Sequence, residues 1–282
     1  MTRTEVVMGT RITIEVSAPE EVLARSFAWF HEVESCCSRF DPASELMRLA
    51  PGDAKPATPM LFEAVRFALM VAEESGGAFD PTVGHRMAAR GFNREHRTGT
   101  VADSPDADDD VSYHDVDLDA AMHTIRLRRP LTLDLGAVAK GLAVDAAARE
   151  LQPFGDFAID AGGDLYLGGC NPHGEPWAIG IRHPRMDGEL IARLRVSNQA
   201  VCTSGDYERG RHILNPRAGG VAGSVASATV VASGAMLADA LATAAFVMGP
   251  DEGVSFLTRM GVEGLIVTPE LECFETRGLR HA

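Results

Sequence analysis

No stretch of this 282-residue chain runs for about 18 apolar residues, the length a membrane-spanning helix needs, so no stable membrane insertion is expected. Positive charge is also scarce. Lys and Arg number 26 against 40 Asp and Glu, a formal net charge of -14. A field of that sign repels polyanions, which argues against nucleic acid or anionic lipid as a partner but leaves room for one local phosphate site. The five cysteines (Cys36, Cys37, Cys170, Cys202, Cys273) are an odd, scattered set without a C-x-x-C pair. That pattern suits reduced thiols and argues against a structural zinc site. The first ten residues, MTRTEVVMGT, lack the apolar core and cleavage site of a secretory signal, and the expected location is cytoplasmic. P-loop, G-x-G-x-x-G and G-x-S-x-G signatures are all missing.

What is present is an ordinary globular composition, 45% hydrophobic and 23% charged. Its most informative stretch runs from Leu131 to Asp145, L-T-L-D-L-G-A-V-A-K-G-L-A-V-D. The pattern predicts a short strand ending at Asp134, a turn at Gly136 and an amphipathic helix to about Phe154. A helix start presents unpaired N-H groups and partial positive charge, and Lys140 would add a full one, so the stretch reads either as an anion site or as an ordinary joint with a solvated lysine.

Around it, period-2 alternation predicts one irregular strand over Thr4 to Val16, bent at Met8-Gly9-Thr10. Helical spacing predicts a helix from Pro19 to about Cys37 and another from Thr58-Pro59 to about Ser75. Breakers at Ala78 to Gly84 predict a loop carrying an aromatic ring and a carboxylate together. The acidic run from Asp103 to Asp110 reads as a solvated loop. After the helix come a Gly162-Gly163 hairpin, strands at Trp177 to Arg182, Glu189 to Val196 and Ala200 to Cys202, then a loop T-S-G-D-Y-E-R. A strand at Ser227 to Ala232, helices from Gly234 and Pro250, and two last strands complete the chain. The predicted class is α+β, with mixed, largely antiparallel sheets and packed helices. Residues 1-282 form one domain, built as two intertwined subdomains around a cleft.

Asp239 and Thr243 lie one turn apart on an otherwise apolar helix. Two hard oxygens so placed suit Mg²⁺; the alternative is an Asp paired with a buried Arg and a Thr bonded back to its own helix. His212 sits beside Arg211 and Arg217, company that suits a titrating or phosphate-facing histidine.

Eight stretches in order then carry a resemblance: M-G-T, S-R-F-D-P-A-S-E-L-M-R, G-G-A-F-D-P-T-V-G, D-L-G-A-V-A-K-G-L-A-V-D, I-D-A-G-G-D, T-S-G-D-Y-E-R, H-I-L-N-P-R-A-G and A-D-A-L-A-T. Together they resemble the ApbE family, the FAD:protein FMN transferases, over nearly the whole chain. The resemblance implies an ApbE-like, T-fold-like architecture. It also implies Mg²⁺-dependent transfer of FMN from FAD, as substrate, to a Thr or Ser hydroxyl of an acceptor protein, with release of AMP. FAD pyrophosphatase activity or plain FAD binding are the alternatives. By position, Met8, Phe40, Ala78, Phe79, Asp80, Asp134 and Lys140 would contact the FAD. Asp239, Thr243 and the carbonyl of Ala137 would hold Mg²⁺, and His212 would act as general base. Two positions depart from the family pattern: Phe40 is often a tyrosine there, and Ala242 stands where some members carry a further metal-binding acid.

Overall fold

The computed structural model describes residues 1-93, 99, 101, 108, 110-207 and 213-282. His212, Arg211 and Asp103, Asp106 and Asp109 of the acidic run lie outside the described residues. Asp108 and Asp110 are described, and both pair with Arg129.

In chain order the strands and helices are β1 (Thr2-Val7), β2 (Thr10-Val16), α1 (Glu20-Cys37), β3 (Lys55-Pro56), α2 (Pro59-Glu74), α3 (Gly84-Ala89), β4 (Val116-Asp119) and β5 (Thr124-Leu127). They continue with α4 (Gly136-Leu151), β6 (Phe157-Ala161), β7 (Asp164-Gly168), β8 (Trp177-Arg182), β9 (Leu190-Val196) and β10 (Gln199-Gly205). The last are β11 (Ser227-Ala232), α5 (Ala235-Met248), α6 (Pro250-Arg259), β12 (Glu263-Val267) and β13 (Cys273-Glu275). Eight strands make one sheet in the order β1-β2-β6-β7-β10-β11-β12-β13, every neighbour antiparallel. A three-stranded sheet β3-β5-β4 and the hairpin β8-β9 stand apart from it.

Alternation along the strands explains the layers. Ala200, Cys202, Ala228, Val230 and Ile266 point to the face covered by the helices and join the main core. Their neighbours Val201, Val231, Leu265 and Val267 point the other way, into a second apolar cluster with Ile181, Leu194 and Val196 of the β8-β9 hairpin. The central strands are therefore buried on both faces, which is why β11 reads as a continuous small and β-branched run, S-A-T-V-V-A.

Three local expectations are corrected. The amino-terminal stretch is two strands, because Met8 (φ 53°) and Gly9 (φ 70°) close a two-residue hairpin turn. Alternation resumes on the far side of that turn, so a reader following the pattern sees one strand. Leu131 to Asp134 is no strand of a sheet. Its extended backbone finds only a loop to pair with: Thr132 makes one isolated parallel bridge to Val83, and the Asp134 N-H donates to Pro81 O at 2.7 Å. The third correction is the T-S-G-D-Y stretch, where β10 continues through Gly205 because Thr203 to Gly205 pair with Ser227 to Thr229. Elsewhere the helix of the central stretch ends at Leu151 and tightens into a 3-10 turn over Gln152-Phe154. All five cysteines are free. No helix among the described residues is long and apolar enough to cross a membrane.

Candidate functional site

The start of α4 is the hub. Asp134 Oδ1 accepts the Gly136 N-H at 2.8 Å, while Oδ2 is paired with Arg39 Nε at 2.7 Å. Arg39 is buried, and its guanidinium also donates to Phe92 O and lies 4.2 Å from the centre of the Phe40 ring. One arginine thus joins the aromatic of the S-R-F-D-P stretch to the acid of the central one. The sequence signal for Arg39 was its place beside Phe40, but nothing in spacing reveals its partner ninety-five positions on.

The A-F-D loop abuts the same point through Pro81 and Asp134. Its ring is turned inward: Ala78, Phe79 and Asp80 are all buried. The Asp80 carboxylate is spent inside the loop, accepting the Thr82 N-H (2.8 Å), the Thr82 hydroxyl (2.7 Å) and the Tyr113 N-H (3.1 Å). Burial nevertheless pushes its pKa above the ordinary carboxylate value. Asp80 therefore shapes the loop.

Met8 lies in the β1-β2 turn. It occupies the left-handed region, strained for a side chain of its kind. Thr10, two residues on, lies so close to Gly162 that a Cβ there would strike the Thr10 hydroxyl. The β1-β2 turn is therefore seated on the β6-β7 hairpin. Directly after the turn of that hairpin, Asp164 forms an ion pair with Lys140. Burial alone would pull the Lys140 ammonium down, but the carboxylates of Asp164 and Asp239 more than reverse this and hold it above the usual lysine value. Lys140 is charged at neutral pH.

The helices α4 and α5 meet at a point without side chains. A Cβ on Gly141 would lie 2.5 Å from Met236 Cα and N. One turn further on, Asp145 accepts the backbone N-H groups of Ala235 (2.6 Å) and Met236 (3.0 Å). Gly234 at the N-cap of α5 has no side chain to do this, so α4 caps α5 from outside. Asp239, 7% exposed, follows one turn later beside Lys140. Thr243 follows another turn later, its hydroxyl 3.0 Å from Ser204 Oγ. Ala137 departs from helical dihedrals (φ -92°, ψ 16°), which turns its carbonyl off the helical course. Among the described residues no three His, Cys, Asp or Glu side chains cluster as a ready-made metal site.

Asp134, Lys140 and the A-F-D loop are thus gathered at the start of α4, with Phe40 joined through Arg39 and the Met8 turn through the β6-β7 hairpin. Asp239 stands beside Lys140. Sequence reasoning did not single out Arg39, Asp145, Asp164 or Ser204, each of which acts on a residue distant in the chain. Leu214 to Gly220, the stretch after His212, is tied down by Arg217, which donates to Ser75 O and Gly76 O and pairs with Glu252.

Fold and site together define a class: an α+β protein with an eight-stranded antiparallel sheet under paired helices, presenting a lysine-bearing helix start beside hard oxygen donors. Its family follows from comparison. Residues 8-266 match the ApbE family, and the chain belongs to it. An FAD:protein FMN transferase of Rhodobacter capsulatus is 30% identical over 301 residues, 97% of this chain and 56% of that protein, so the chain spans little more than half of that relative's length. An FAD:protein FMN transferase of Treponema pallidum is 30% identical over 322 residues, covering 98% of this chain and 87% of that one. The crystal structure of the ApbE protein of Thermotoga maritima superposes with a TM-score of 0.86 at 28% identity, over 98% of this chain and 97% of that chain.

Proposed function

We infer that this chain is an FAD:protein FMN transferase acting as a single unit, with FAD as its substrate and a protein hydroxyl as acceptor. The observation that carries the reading is the packing of α4 on α5, which sets Lys140 and Asp239 side by side at the helix start. Lys140 and the N-terminus of α4 bind the pyrophosphate. Arg39 holds Phe40 and Asp134 in place for the flavin side, with Met8 and the backbone of Ala78 to Asp80 completing that wall.

A divalent cation fits the donors present. Asp239 carboxylate, Thr243 hydroxyl and the turned-out Ala137 carbonyl are all hard oxygens, and they would hold Mg²⁺ with waters and phosphate oxygens filling its shell. When bound, the cation supplies neutralisation of pyrophosphate charge. His212 is assigned by family resemblance as the base that takes the proton from an acceptor Thr or Ser hydroxyl. The hydroxyl oxygen bonds to the FMN-side phosphorus, the bond from that phosphorus to the bridging oxygen breaks, and AMP departs with that oxygen. A positioned base contributes roughly a hundredfold to ten-thousandfold.

The test is incubation with FAD, MgCl₂ and candidate acceptor proteins, read by intact mass and by AMP. An acceptor that gains one FMN on Ser or Thr, with loss of the gain in EDTA and in Asp239→Ala, supports the reading. AMP with free FMN alone identifies an FAD pyrophosphatase, and FAD left intact identifies a binding protein; either result overturns transfer.

A further inference from the structure

The strand β10 touches α5 twice with alternate residues. Cys202 Sγ lies 3.6 Å from Ala235 O, and Ser204 Oγ lies 3.0 Å from Thr243 Oγ1. Thr203, between them, faces the other way and bonds to Thr229 across the sheet. Ser204 is buried and Thr243 half-buried, so their contact is sheltered from water.

This contact is unusual for a hydroxyl inside a helix. Such groups commonly bond back to the carbonyl one turn earlier. Other helical hydroxyls in this protein do so: Ser26 to Val22, Ser255 to Asp251 and Thr258 to Val254. Thr243 is bonded instead to a strand. A threonine hydroxyl that gives a lone pair to a cation keeps its proton, and that proton must go to an acceptor away from the metal. Without a cation either oxygen of the pair can donate; with one on Thr243 Oγ1, the proton must point to Ser204.

We propose that Ser204 is a positioning residue for the cation site, accepting the Thr243 hydroxyl proton so that the Thr243 oxygen faces the metal. The inference rests on the Mg²⁺ reading above. It gives the T-S-G-D-Y stretch a role: the serine serves the metal helix, and the extension of β10 through Gly205 is what delivers it.

The experiment is calorimetric titration of the EDTA-stripped full chain with MgCl₂ alone, on wild type, Thr243→Ala, and the pair Ser204→Thr and Ser204→Val. The last two add nearly equal volume and differ in the hydroxyl. Ser204→Thr is expected to stay within about threefold of wild type, while Ser204→Val weakens Mg²⁺ binding by about tenfold to a hundredfold. Melting temperatures in EDTA should agree between the pair, which a purely structural role would not allow alongside divergent affinities. If the larger side chains disturb the packing, Ser204→Ala repeats the comparison and should also weaken binding. Equal affinity in Thr and Val variants, with binding lost in Thr243→Ala, overturns this inference and leaves the metal reading standing. Absence of Mg²⁺ binding by wild type overturns both.

Discussion

Lys140 concentrates the electrostatics of the site in one residue. Its partner Asp164 has a side chain only 3% exposed, so the ammonium serves two ends: it would attract phosphate, and it compensates a carboxylate that water cannot reach. Removing one member of such a pair strands the other charge, at a cost of about 3 to 5 kcal/mol. Lys140→Met should therefore lower stability to urea by that order, and adding Asp164→Asn should recover much of the loss while FAD turnover stays low. Denaturation midpoints of the two single variants and the double would check the coupling. Lysine at a helix start is visible in the sequence. Asp164 is not, because an ion pair between helix α4 and strand β7 leaves no periodicity to read.

At the scale of elements, the α4-α5 contact sets the register of the proposed ligands. Gly141 lets the helices approach, and Asp145 fastens the first turn of α5. Gly141→Ala should push Met236 away and cost about 1 to 3 kcal/mol by overpacking, measured by chemical denaturation, with Mg²⁺ affinity falling as well. Much of the element order was legible beforehand. Ser227-Ala232 follows from its continuous small and β-branched run and the Gly162-Gly163 hairpin from turn chemistry, and α5 and α6 from their apolar spacing and Pro250. What failed to show were pairings whose partner was itself irregular. Leu131 to Asp134 looks like a strand because it is extended and apolar, yet its neighbour is a loop. The proposed site residues were named by family resemblance, whereas Arg39, Asp145, Asp164 and Ser204, which contact them or their neighbours, are set by tertiary contacts.

For the whole molecule, pH is the lever that the buried acids control. Asp80 and Asp145 are both pushed above the ordinary carboxylate range by burial, against the hydrogen bonds that pull them down. A raised folded-state value means that folding favours the protonated form. Their contribution to stability is then full below the unfolded value, about 4, and is lost as pH rises through the folded value. Asp80→Asn, with no proton to lose, should fall further behind wild type in melting temperature as pH is lowered from 7 towards 4. A constant gap would remove Asp80 from the account. Surface acids such as Asp117, held low by its hydrogen bond to Arg128, run the opposite way but are exposed to solvent and count for little. The eight-stranded sheet has one more consequence. Its strands lie side by side in the order in which they are synthesised, from β1 at one edge to β13 at the other. The sheet can therefore grow at one edge as the chain leaves the ribosome, each new strand meeting a template already in place. Ala137 and Lys140 emerge about a hundred residues before Asp239 and Thr243. If the proposed assignments hold, the nascent protein would have its flavin-side residues well before the residues that would hold the metal.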